Sequence, residues 1–269
     1  MVPKSEQNYL MKDSTTKSNI LKYSFFLSSI FLLFVIVAIL SAVKNDPDFY
    51  PSWFQIGQEI INIFTKRTIF VHFSTTIVRI ILVMLSSLII TTLIALLYVL
   101  MKESIYLLKP WITIMKSAPL AIIALYILIT LGDEKAPYFI TLLVTLPVTI
   151  EGFTTAIDNI NPNIIMELRV TTARSSIKFF KVYLPMILPY IGMCLLQTFG
   201  LGLKVMVMSE YLCATKVGIG RFIQTSKINF EYDKLFATLI IVVFIVIAIE
   251  ILIRFISKKF NYSCSQYQK

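Results

Sequence analysis

Charge is scarce in this sequence: 15% of its 269 residues are Asp, Glu, Lys or Arg against 57% hydrophobic, where soluble domains carry about a quarter charged. That shortage excludes an ordinary water-soluble globule. Histidine occurs once, at His72, and the acids are dispersed. A convergent His, Asp, Glu, Ser or Cys constellation of the kind a membrane enzyme needs is therefore missing. The three cysteines, Cys194, Cys213 and Cys264, are odd in number and lack any Cys-x-x-Cys spacing, which supports neither a disulfide framework nor a zinc centre. No Gly-x-x-x-x-Gly-Lys-Ser/Thr loop is present to cradle a nucleotide, and Gly218-Ile219-Gly220 stands without one. Strand-like alternation and low-complexity tracts are absent too.

What the sequence has instead is long apolar runs, at Leu21 to Val43, Ile80 to Met101, Trp111 to Leu131, Pro137 to Ile150 (extending toward Ile157), Met186 to Met208 and Leu235 to Ile256. Each is near the ~20 residues a helix needs to cross a bilayer. The expected fold class is all-α, a polytopic membrane protein with about six transmembrane helices. The first run is longer than a secretory h-region, with no small-x-small cleavage site after it, so it is read as an uncleaved span. Trp53, Ile56, Ile60 and Ile63 recur at helical spacing and predict a surface helix before the second span.

Basic residues set the orientation, because Lys and Arg are retained on the cytoplasmic side. With the N-terminus inside, the inner segments hold fourteen and the outer ones eight, so both termini are expected in the cytoplasm. Most of the +10 formal charge is then topology and contact with anionic lipid, and nucleic acid is not implied. The predicted organisation is a cytoplasmic tail over 1–22, the first span and surface helix over 23–69, a core over 70–257 with a long cytoplasmic loop at about 158–185, and a tail over 258–269.

That loop has helical pattern. Asn161-Pro162 supplies a cap and a first-turn proline. Further on, Ala173, Ile177, Phe180 and Leu184 form an apolar face beside a basic row of Arg174, Lys178 and Lys181. Such a helix suits either the head-group layer or a cytoplasmic partner.

The segment from Ile164 to Pro189, running into Leu184-Pro185 and Leu188-Pro189, resembles the coupling loop of ABC importer permeases, the binding-protein-dependent inner-membrane component family, and within it the nitrate/sulfonate/taurine branch. "STTIVRI", "KPWITIMKSAPLAIIALYILITLGDEKAPYFI" and "GLGLKVMVMSEYLCATKVGIGRFI" carry the resemblance over roughly Phe70 to Phe255. The family's Glu-Ala-Ala falls on Met166, Glu167 and Leu168 and its glycine on Thr172, so the acid is displaced by one residue.

The resemblance implies the ABC importer permease fold in a bacterial inner membrane, a cytoplasmic ABC ATPase, an extracytoplasmic solute-binding protein and a second permease copy as partners, and no cofactor, metal or catalytic residue in this chain. It implies that Glu167, Arg169, Thr172, Ala173, Ile177 and Phe180 meet the ATPase, and that Lys204, Glu210 and Arg79 belong to the path of a small, anionic solute. For those charges inside spans the plain alternative is a snorkelling stem or an ion pair that fixes helix register, and Lys116 is read most simply as snorkelling. The other function classes weighed are a membrane enzyme and a secondary transporter. The latter would show inverted repeats and intramembrane carboxylates, for which Glu250 alone offers little.

Overall fold

The computed structural model describes residues 51–164 and 175–265, with positions 35 and 166 besides. Apart from Val35, the run Leu21 to Val43 lies outside the described residues, as do Glu167, Arg169, Thr172 and Ala173. The described chain is helical, with no strand among those residues.

It opens with α1 (Trp53–Thr65), started by a capping box in which Ser52 and Gln55 satisfy each other's backbone N–H groups. Of the four residues at the expected spacing, Ile56 and Ile63 are buried at 2% and 1% exposure, Ile60 is half-buried and Trp53 is exposed. Next come α2 (Arg67–Leu100), α3 (Ser104–Ser117), α4 (Leu120–Leu131) and α5 (Ala136–Asp158). After residues 162–164, also helical, the chain resumes with the short α6 (Ser175–Lys178), a π-helical turn (Phe179–Tyr183), α7 (Leu184–Cys213), α8 (Ile219–Ile228) and α9 (Tyr232–Ser265). The expected cap at Asn161 is present, its Oδ1 accepting from the Asn163 N–H at 2.9 Å.

Four described helices are long and apolar enough to cross a membrane, or five if the bent pair α3 and α4 counts as one. That pair corrects the expectation of a single straight span from Trp111 to Leu131. The two halves meet at 98°, because Ala118 precedes Pro119 and is driven out of the helical region to φ −71, ψ 139. Neither half spans alone, at about 21 Å and 18 Å against roughly 30 Å of hydrocarbon.

A second correction concerns the basic stretch. At 3.6 residues per turn, Ala173, Ile177, Phe180 and Leu184 would share a face, but the turn from Phe179 to Tyr183 is π-helical, with the Leu184 N–H bonding the Phe179 carbonyl. The wider turn has a local cause, since Pro185 donates no N–H to the Lys181 carbonyl and its ring would strike that oxygen in a regular helix. The consequence is that Phe179 turns inward and is fully buried, while Ile177 and Phe180 stay 46% and 54% exposed.

The centre is built by α5, which packs along both α2 and α7. Gly152 and Gly202 permit the close approach of α5 to α7: a Cβ on the first would lie 2.3 Å from Cys194 Sγ and on the second 3.0 Å from Thr145 Cγ2. Buried hydroxyls tie α2 to α5, with Thr149 bonding both Ser87 at 2.9 Å and Thr91 at 2.8 Å. Both ends of this three-helix core are thereby fixed: Arg79, Glu210 and the start of α5 gather at one, Tyr98, Asp158 and the π turn at the other.

Candidate functional site

Along α2, Arg79 and Tyr98 are about 28 Å apart at 1.5 Å per residue, close to the thickness of the hydrocarbon layer. The two polar clusters they anchor are therefore separated by about one hydrocarbon thickness, a spacing that lets both reach head-group depth, where ionised groups are tolerable.

At the Tyr98 end, the hydroxyl donates to both Asp158 oxygens at 2.8 and 2.9 Å, and Lys102 lies 3.4 Å from the same carboxylate. Beneath them Phe179 packs with Ala95, Tyr98, Phe153, Ile157 and Ile187 and meets Phe180 edge to face at 5.2 Å. The π turn is thus keyed into the core by one ring and presents the next outward.

At the Arg79 end, Glu210 has no exposed surface and is surrounded by donors. It accepts from Thr76 Oγ1 at 2.8 and 3.0 Å, Arg79 Nη1 at 2.8 Å and the Gly220 N–H at 3.1 Å. The last contact places the carboxylate at the N-terminus of α8, whose partial positive charge suits it. Gly218 and Gly220 are required here: Gly218 has φ +149, and a Cβ there would lie 2.5 Å from the Glu210 carboxylate, while one on Gly220 would lie 2.4 Å from the Tyr211 nitrogen and Val207 oxygen.

Arg79, only 4% exposed, reaches three ways: to Glu210, to the Val217 carbonyl at 2.7 Å and through Nη2 to Glu134 at 2.5 Å. Glu134 also accepts from the Lys216 N–H at 2.7 Å. The His72 ring joins the same loop through a 3.1 Å contact to the Gly218 backbone. Arg79 and Glu210, two of the residues expected on a solute path, are brought together in a buried ion pair.

The third, Lys204, is placed differently. It is exposed, lies about 9 Å along α7 from Glu210 by helix rise, and has no ion pair or hydrogen bond among the described residues. Tyr190, Met193, Gln197 and Met208 are exposed at helical spacing on the same helix, forming one stripe with it. Beside the stripe runs a cleft of about 630 Å³ between α5 and α7, lined by Glu151, Thr155, Asn159, Tyr190, Met193 and Gln197 among others. Lys116, read from the sequence as snorkelling, bonds one of the lining residues, Glu151, at 2.8 and 2.9 Å, so it is also paired.

Sequence reasoning missed Glu134, Thr76 and the Lys216 amide. A signal was available for the first: Asp133-Glu134-Lys135 stands at the start of α5, at the boundary where Arg79 leaves α2.

The family model described as "Binding-protein-dependent transport system inner membrane component" matches residues 105–262, more than half of the chain. Comparison with curated protein sequences gives no match.

Proposed function

The chain belongs to the family of inner membrane components of binding-protein-dependent transport systems, and from that premise we propose that it is the permease of an ATP-driven importer for a small anionic solute, working as a homodimer. Family membership carries the coarser part, a multi-pass membrane transport component served by a solute-binding protein and an ATPase. The anionic solute rests on Lys204. An ammonium facing lipid at that depth costs about 3 kcal/mol, so a face bearing Lys204, Gln197 and Tyr190 suits a water-filled path better than hydrocarbon. Continuity of the stripe with the polar cleft supports the same reading.

In this reading the π turn and its flanking residues, from Glu167 through Arg169, Thr172, Ala173 and Ile177 to Phe180, meet the ATPase in the cytoplasm, and both termini lie on that side. The polar cleft lies at that end, because Glu151, Thr155 and Asn159 belong to the last two turns of α5 or follow it. The Glu210 strut then lies on the outer side, where solute arrives. The solute belongs to the class of sulfonates, taurine, nitrate or thiamine-related precursors.

A thermal-shift screen of the partner binding protein against those compounds identifies the solute. Vesicles carrying the permease and ATPase then test the path. Lys204→Met should assemble with the ATPase as wild type does and lose uptake about tenfold, while Lys204→Arg retains most of it. Wild-type uptake by Lys204→Met would remove this residue from the path; loss of assembly would make it a structural ion-pair partner.

A further inference from the structure

The two carboxylates on Arg79 are held in different ways. Glu210 is enclosed, its donors among the described residues coming from buried groups of α2 or from the α8 N-terminus. Withdrawing it would leave a buried charge uncompensated. Glu134 is 44% exposed at its side chain, and among the described residues its donors are Arg79 Nη2 and the Lys216 N–H. Solvent reaches it, so a withdrawn Glu134 carboxylate is rehydrated, which an enclosed one is not. When it leaves, Arg79 still has Glu210 and no charge is stranded.

The chain segments joined by Glu134 connect different pairs of helices. Residues 132–135 connect the bent pair α3 and α4 to α5, whereas residues 214–218 connect α7 to α8. Glu134 ties the first connection to the second. At the opposite end of α5 and α7 lies the cleft lined by Glu151, Thr155, Asn159 and Gln197, so solvent enters between these helices at that end while Glu134 bridges the other.

We infer that Glu134 is the releasable bolt of the outer gate: it bridges Arg79 and the Lys216 amide while the outer end is shut, and must withdraw each time the path opens outward. The Arg79–Glu210–Thr76 strut is the fixed post on which it closes. This rests on the importer reading, which supplies the solute traffic that the gate controls.

The test is a covalent bolt. In a background with Cys194, Cys213 and Cys264 replaced by serine, Glu134→Cys with Lys216→Cys places two thiols across the gate without touching the Lys216 N–H. Glu231→Cys with Lys234→Cys, one helical turn apart on the same outer side, is the control. Each is reconstituted in vesicles with the ATPase and the binding protein, and uptake is measured before and after a short bis-methanethiosulfonate, then after reductant.

The gate pair should carry solute before cross-linking, fall at least tenfold after it, and recover on reduction, with the control pair unaffected. Glu134→Ala, in the native background, should raise hydrolysis without binding protein about threefold or more. Undiminished uptake by the cross-linked pair would overturn the bolt, since a static strut tolerates a cross-link. A gate pair that is inactive before cross-linking, beside an active cysteine-free parent, would make Glu134 structural and overturn it equally. If wild type takes up none of the screened solutes in the full assembly, it is the importer reading that fails.

Discussion

Glu210 shows how tightly a single carboxylate can constrain its neighbours. Four contacts from Thr76, Arg79 and Gly220 fix it, and α8 can approach only because residue 220 has no side chain. Gly220→Ala pushes a methyl group to 2.4 Å from the backbone of α7, so α8 must shift. Overpacking of this kind costs about 1–3 kcal/mol, and the melting midpoint in detergent should fall by several degrees. Gly57 is the contrasting case, since nothing lies within 4 Å of its Cβ position, and Gly57→Ala in α1 should gain up to about 1 kcal/mol from helix propensity. Equal midpoints for the two variants would refute the steric account. Arg79, Lys204 and Glu210 stood out in the sequence because ionisable residues in apolar runs are conspicuous. Their division of labour was not legible, because Arg79 and Glu210 meet across 131 positions and only packing shows that one carboxylate is enclosed while Lys204 faces outward.

Among the elements, the π turn separates two adjacent phenylalanines into different tasks. Phe179 is fully buried in the core where α2, α5 and α7 meet, and Phe179→Ala should cost about 3–5 kcal/mol. Phe180 is 54% exposed, so Phe180→Asp should leave detergent stability within about 0.5 kcal/mol of wild type yet release the ATPase and abolish solute-stimulated hydrolysis. Co-purification of the ATPase alongside thermal melting distinguishes the two. If Phe180→Asp keeps the ATPase and its coupling, this segment serves the lipid surface instead. The long apolar helices could be read directly from run length. The π turn could not, because pattern reading assumes 3.6 residues per turn and its first effect is to put Phe179, off the expected stripe, inside. The 98° corner at Pro119 had its signal in Ala118-Pro119, which an unbroken hydropathy run conceals.

For the whole molecule, the sequence disclosed the class more readily than the closure. Scarcity of charge, the apolar runs and the basic loop all follow from the solvent a chain must suit, and these are properties of sequence in bulk. Which end is shut depends on Glu134 and the Lys216 amide, a loop side chain and a backbone group that carry no such signature.

The strut also bears on how the protein is made. A ribosome adds roughly 5–20 residues per second, so Arg79 is synthesised about 7–26 s before Glu210, 131 residues later. Through that interval α2 holds an arginine whose lasting partner does not exist, and whatever part of it turns toward lipid carries a cost that a counter-charge removes. Glu134 comes after 55 residues, the earlier of the two carboxylates to emerge, and can neutralise Arg79 until α7 arrives. Stalled chains that end beyond Glu134 but before Glu210 should therefore resist alkaline extraction from membranes better than chains ending before Glu134, and Glu134→Ala should erase the difference. Equal extraction of the two lengths would show that α2 needs no interim counter-charge. If the difference is found, the residue that shuts the finished gate will have served first as a birth attendant to its arginine.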